Sequence, residues 1–272
     1  PPNPGLIKFD RGDGGGPYAN VVESNILHDL FDSDNGTPIP WDQTADSQHF
    51  GAVTTLSCEV YLGPSCGGSG SLSIRNNKIY RVPQAFFFKN AQAGPFLIEG
   101  NHFSQHRLGS WASSNITFVN NVVLGGGGIG SGGLDGDQSD PVYANAGHNI
   151  RFLNNTFIGI NTLIGFRIYA SGHTMRGNVI QGLDYNPSET TYERIGLVVE
   201  AGLRSGHRET ATTLAESQLA SGNDFDGNCY AAEDPNFMLY GFRRDQTEVV
   251  TIEQARTMFG YDLTSIVTTA NE

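Results

Sequence analysis

Apolar and polar positions alternate along this chain in short bursts, and each burst runs into the same polar phrase. The phrase reads SNILHD (24–29), SLSIRNNKIYRV (71–82), PFLIEGNHFSQ (95–105), SNITFVNNVVLG (114–125), HNIRFLNNTFIG (148–159) and HTMRGNVIQG (173–182). A fainter copy is SGNDFDGNCY (221–230). Alternation of the I-T-F-V kind is too short for a long helix and predicts half-buried strands. The Asn or Gly that follows, then a further Asn, predicts a tight turn, because Asn tolerates the left-handed conformation and bonds nearby backbone. The anchoring asparagines Asn77, Asn101, Asn121, Asn155 and Asn178 are spaced by 24, 20, 34 and 23 residues. Asn25 lies 52 before Asn77, which reads as about two rungs. A period of this size predicts a solenoid whose coils bury their faces on one another. The leucine-rich alternative lacks its L-x-x-L-x-L frame, and an ordinary sandwich leaves the repeated Asn unexplained.

Two stretches break the rhythm. Residues 32–50 are polar and Pro-containing, and 184–220 form a second excursion whose TATTLAESQLA part suits a short helix. Insertions on a solenoid cluster on one face and build binding clefts. Thr251-Ile-Glu-Gln254 reads as a capping box that opens a helix through Met258, stopped by Gly260. With the following DLTSI it predicts a tail, within 231–272, that covers the end of the stack. No such cap precedes Asn25, so the N-terminal end is read either as lost with removed sequence or as covered by the polar 1–20 segment. The whole chain, 1–272, is read as a single β-helix domain with coils over about 20–230.

The recurring phrase resembles the coils of the pectate-lyase-like superfamily. That resemblance implies an all-β chain folded as a right-handed single-stranded parallel β-helix with a short C-terminal capping helix. Its members include polysaccharide lyases, glycoside hydrolases, epimerases and non-enzymatic phage and surface proteins, so it implies a fold before it implies an activity.

Composition sharpens the choice of partner. The 272 residues carry 35 Gly and a formal net charge of −12, which argues against nucleic acid or an anionic membrane. An acidic polysaccharide stays open, because bound Ca2+ or a local Arg/Lys stripe inverts the field. No run approaches 18 apolar residues, the length of a transmembrane helix. The start at Pro1-Pro2-Asn3-Pro4 suggests a processed or trimmed product. Cys58 and Cys66 bracket a short loop and suit one local bridge, leaving Cys229 free and buried. Formal glycosylation triplets at Asn35, Asn115 and Asn154 point toward a secreted, extracellular protein.

Candidate chemistry follows from charge placement. LDGDQSD carries Asp135, Asp137 and Asp140 directly after the glycine tract 125–133. Three carboxylates so close suit a Ca2+ site, a general acid and base for glycoside hydrolysis, or a plain solvated turn. Hydrolases of the superfamily carry N-x-D, Asp-Asp, G-H-G and R-I-K patterns. This chain has DGD, Gly147-His148-Asn149 and Arg167-Ile168-Tyr169, with neither the Asp pair nor the lysine. The epimerase D-P-H-x motif is met only by Asp140-Pro141-Val142. A lyase needs a base and a positive group to neutralise the sugar carboxylate. Lys89, Arg107, Arg151, Arg167 and Arg176 are candidates, each equally readable as an ordinary outer-face charge. Trp41, Trp111 and Tyr143 offer sugar-stacking faces, Trp41 beside Asp29, Asp32, Asp34, Asp42, Asp46 and His49. The reading is β-elimination on an extracellular acidic polysaccharide, by a monomer or homotrimer. Lys89, Arg167, Asp137 and His148 are its catalytic candidates, and Trp41, Arg107, Arg151 and Tyr143 bind substrate. Asp135, Asp137 and Asp140 hold Ca2+. The alternatives are a glycoside hydrolase using paired aspartates and a non-catalytic carbohydrate-binding or structural β-helix.

Overall fold

The computed structural model describes residues 7–9, 18–29, 37, 51–55, 70–88, 95–111, 115–125, 127–131, 149–159, 166–168, 172–181, 199–201, 216, 222–232, 238–242 and 248–269. After β1 (Ile7–Phe9), a first full coil comprises β2 (Tyr18–Glu23), β3 (Ile26–His28) and β4 (Gly51–Thr55). The second coil holds β5 (Gly70–Arg75) and β6 (Lys78–Phe88), and the third β7 (Phe96–Glu99) and β8 (His102–Trp111). The fourth holds β9 (Ile116–Val119), β10 (Val122–Leu124) and β11 (Gly127–Ser131). The fifth holds β12 (Ile150–Leu153), β13 (Thr156–Ile158) and β14 (Phe166–Ile168). The sixth holds β15 (Thr174–Arg176), β16 (Val179–Gln181) and β17 (Val199–Ala201). The seventh holds β18 (Asp224–Asp226), β19 (Cys229–Ala232) and β20 (Met238–Phe242). β21 (Glu248–Thr251), α1 (Ile252–Phe259) and β22 (Ile266–Thr269) finish the chain.

Corresponding strands of successive coils pair side by side and make three faces. The first is the seven-stranded sheet β2-β5-β7-β9-β12-β15-β18. The second and third share one hydrogen-bonded network, because β6 and β8 run unbroken through the corner between them. Lys78–Tyr80 and His102–Ser104 lie on the second face, while the later residues of β6 and β8 pair with β4 and β11 on the third. Every pair is parallel except β20 with β21. This is the β-helix solenoid with a capping helix that the repeated phrase predicts. The inner column of the first face runs Val22, Ile74, Ile98, Phe118, Phe152, Met175, Phe225, all buried. Facing it, Phe103 and Phe157 pack on Phe118 at ring separations of 5.8 and 6.1 Å. Each ring withdrawn from water contributes roughly 1.5–3 kcal/mol, so the stack of coils carries its own core.

The turn out of the first face explains the Asn phrase. Its first residue is left-handed in coil after coil: Ser24, Asn76, Gly100, Asn120, Asn154, Gly177, Gly227. The next residue is Asn each time, and six of the seven are buried. Asn77 Oδ1 accepts the backbone N–H of Asn25 at 2.9 Å, and Asn101 Oδ1 accepts that of Asn77 at 2.9 Å. The pattern continues through Asn121, Asn155, Asn178 and Asn228. From Asn77 onward each amide also donates to a carbonyl of the coil before, as Asn121 does to Ile98 at 2.9 Å. A buried amide in this register leaves no polar atom without a partner, the condition for keeping it inside.

Three expectations change. The 52 residues from Asn25 to Asn77 are one coil, since the two asparagines bond directly. Asn178 and Asn228, 50 apart, are likewise neighbours. The stack therefore counts coils by contact, and extra sequence leaves it at the corners. Strand β17 falls inside the 184–220 stretch and belongs to the third face. Cys229 is free, as expected, but half-buried on the outer side of β19, because its neighbour Tyr230 takes the inward position. Cys58 and Cys66 lie outside the described residues.

At the C-terminal end Thr251 caps α1 through the reciprocal pair with Gln254, and left-handed Gly260 stops it. Asp262 is buried and accepts from Tyr230, Tyr240 and, at 2.6 Å, the Ser265 hydroxyl. Ser265 Oγ in turn accepts the Asn228 N–H at 2.9 Å, standing where a further asparagine would stand. The DLTSI segment thus completes the ladder, and Arg256 ties α1 to it through the carbonyls of Asp262 and Ser265.

Candidate functional site

The turn from the second face to the third has its own left-handed slot. In the fourth and fifth coils it is filled by Gly125 and Gly159 (φ 64° and 66°). In the first and second coils the same slot holds Asp29 and Arg81 (φ 52° and 51°). The Asp29 N–H donates to the carbonyl of Arg81, its counterpart one coil on, at 3.3 Å, whereas Gly125 donates to Ile158, the residue before its counterpart, at 2.7 Å. Among the described residues with positive φ other than glycine, Arg81 is the one that is neither Asn, Asp nor Ser. Left-handed backbone costs such a residue roughly 1 kcal/mol or more. Strain of this kind marks a position where a side chain is wanted for what it does.

The side chains at this corner converge. Asp29 Oδ2 lies 2.7 Å from His28 Nδ1 and accepts Arg81 NH2 at 2.5 Å. The His28 ring stacks on Tyr80 at 4.9 Å with 14° between planes. The Lys78 ammonium and the Arg81 guanidinium approach the same ring at 5.5 and 5.2 Å. The hydrogen bond from His28 is the largest influence on the Asp29 carboxyl; against the desolvation that opposes it, and with the bond and charge of Arg81 added, it holds the group below the usual aspartate range. An ionised Asp29 keeps the proton of neutral His28 on Nδ1 and leaves Nε2 as a lone pair, with no partner among the described residues. Tyr80 fixes the plane of the imidazole. Arg81 spends one donor on Asp29 and retains others for an anionic ligand. The arrangement supplies an oriented base beside two cations on an exposed surface.

Of the residues singled out from sequence, Lys89, Asp135, Asp137, Asp140, His148, Trp41 and Tyr143 lie outside the described residues. Arg107 and Arg167 belong to the third face: Arg107 pairs with Gly127, and Arg167 with Gly130 and Glu200. Arg151 is exposed on the first face and donates to Asn149 Oδ1 at 3.2 Å. Arg176 is bound in a two-pronged pair with Asp224 at 2.8 and 2.6 Å, so its charge is already matched. The first-face arginines Arg151 and Arg176 are thus engaged away from the corner at Arg81. Among the described residues no three His, Cys, Asp or Glu are grouped to hold a metal ion.

Sequence reasoning passed over His28, Lys78, Tyr80 and Arg81. The signal was present: aligned on their asparagines, the phrases read N-ILHD, N-KIYR, N-HFSQ, N-VVLG, N-TFIG and N-VIQG. The last letter is glycine in three and carries charge only in the first two. The chain belongs to the β-helix solenoids, an architecture that carries many carbohydrate-active proteins. Compared with protein-family models, curated proteins and solved structures, it matches none.

Proposed function

We propose that the protein cleaves an acidic polysaccharide by β-elimination at the corner formed by His28, Asp29, Lys78, Tyr80 and Arg81. The supporting observation is the oriented His28–Asp29 pair beside two cations at a strained backbone slot. Lys78 and Arg81 pair with the uronate carboxylate and stabilise the negative charge that builds on it. His28 Nε2 takes the proton from the carbon next to that carboxylate. The electrons of that bond form a carbon–carbon double bond, and the bond to the glycosidic oxygen breaks. The imidazolium returns the proton to the leaving oxygen, so base and acid are one residue. Asp29 does not touch the sugar and acts by positioning His28.

Ca2+ enters the proposal only as a cation that Asp135, Asp137 and Asp140 would hold, and no step above depends on it. Secretion belongs to the same reading. The test is a screen of acidic glycans that records ultraviolet absorbance of unsaturated ends together with reducing ends, with and without chelator. Both signals should rise, and His28→Gln should lose about 100-fold or more in rate with the circular dichroism spectrum unchanged. Retained turnover in that variant, or loss in Lys89→Ala or Arg167→Ala instead, removes the corner from the mechanism. Reducing ends without absorbance make the protein a hydrolase, and binding without either signal makes it a non-catalytic binder.

A further inference from the structure

The corner at Arg81 opens onto the second face, whose outward residues change character along the stack. The register runs Ile26, Lys78, His102, Val122 in one outer column and His28, Tyr80, Ser104, Leu124 in the other. From β10 to β22 both columns are free of charge: polar but uncharged Thr156, Gln181 and Thr268 alternate with an apolar line that runs through Leu124, Ile158, Val179 and Ile266. The last three remain open to solvent, at 39, 40 and 62% exposure. Their inward neighbours Val123, Phe157 and Ile180 are buried and Val267 packs against the core, so the core does not account for this outer strip. An uncharged surface that offers an apolar side chain on each coil and leads away from a polar centre has the character of a binding surface.

We infer that the substrate is a heteroglycan in which a single uronate is flanked, on the side of the later coils, by neutral sugars. This rests on reading the corner as the elimination centre. The direction follows from dimensions. β10, β13 and β16 are three residues wide, so a chain crossing the face leaves it within a sugar or two. A chain following the axis passes successive strands about 4.8 Å apart, a spacing close to one sugar per coil. A homopolymer of uronates laid on this path would place a carboxylate over each uncharged coil, with no cation in either column to meet it. Burying an unpaired charge is among the costliest contacts available. The apolar ring faces of neutral or acylated sugars meet the same strip favourably. Lys78 and Arg81 thus read one carboxylate, and the strip from Leu124 to Ile266 rejects a run of them.

The experiment compares polygalacturonate with gellan, whose uronates are separated by neutral sugars, for the unaltered protein and for Ile158→Lys/Val179→Lys. These two positions are exposed, so the double variant keeps the core. Initial rates should favour gellan by at least 10-fold in kcat/KM, and the double variant should narrow or reverse that preference, while His28→Gln loses activity on both. Equal or faster cleavage of polygalacturonate, or an unchanged preference in the double variant, overturns the inference. Affinity electrophoresis in gels holding each glycan separates this failure from failure of the elimination reading. If neither glycan is cleaved, retardation by gellan alone, with polygalacturonate retardation gained in the double variant, still supports the strip. Retardation that ignores the substitutions overturns it.

Discussion

At the scale of single residues, the molecule is decided by which side chains accept a left-handed turn. Gly100 lies against Asn76, and a Cβ there would sit 2.6 Å from its Oδ1; at Gly177 the same atom would sit 2.2 Å from Asn154 Oδ1. These glycines answer both the positive φ and the side chain stacked over them. Gly177→Ala should therefore cost about 2 kcal/mol or more in denaturant unfolding, the strain of the turn adding to the displaced Asn154. Gly125→Ala, with nothing within 4 Å of the new atom, should cost only the turn strain of about 1 kcal/mol. Arg81 presents the opposite case. Arg81→Gly relieves backbone strain and loses an exposed ion pair of small worth, so stability should hold or rise by up to about 1 kcal/mol while glycan cleavage disappears. A variant both less stable and still active would show that Arg81 serves the fold alone. Asp29 brings a pH dependence of known sign. Its carboxyl titrates below the usual range when folded, so the stability it adds is present above the ordinary aspartate value and fades as pH falls through the lower folded one.

At the scale of elements, the asparagine ladder and the strand columns act together. Asn121 accepts from Asn101 and donates to the carbonyls of Ile98 and Val119, all within the stack. Asn121→Ala orphans buried donors and acceptors on both neighbouring coils and should lower unfolding free energy by roughly 3 kcal/mol or more. Asn25 stands half-buried at the first rung, and Asn25→Ala should cost no more than about 1 kcal/mol. Equal losses at the two positions would refute a cooperative ladder. The elements were legible in the sequence because each coil repeats one local grammar: alternating residues for the strand, a left-handed residue, then Asn. Coil counting was harder. The spacing of 52 reads as two rungs, since nothing local tells an inserted loop from an unmatched coil. The contact between Asn25 and Asn77 decides it.

At the scale of the whole molecule, the stack is closed at its C-terminal end by a buried carboxylate and two phenols. Desolvation, reinforced for Tyr230 by the charge of Asp262 and for Tyr240 by Tyr230 and Asp262, pushes both hydroxyls well above the usual tyrosine range. The unfolded chain then ionises first as pH rises, so stability is complete below the ordinary tyrosine value and is lost above it. Stability followed through alkaline pH should show this loss, and Tyr230→Phe/Tyr240→Phe should flatten it while lowering stability at neutral pH. The candidate site was less legible than the fold because it follows no period. Arg151 and Arg176 were visible as charges, yet only the third dimension shows one held by Asn149 and the other matched by Asp224. His28 and Tyr80, 52 positions apart, meet because an insertion leaves the coil register untouched. The left-handed corner slot has one more consequence. Because Asp29, Arg81, Gly125 and Gly159 occupy equivalent corners of a single scaffold, the proposed site is a cassette that shifts by whole coils. Writing an aspartate and an arginine into the two glycine positions, with His and Tyr on the strands before them, would transplant the site along the axis without disturbing a single core residue.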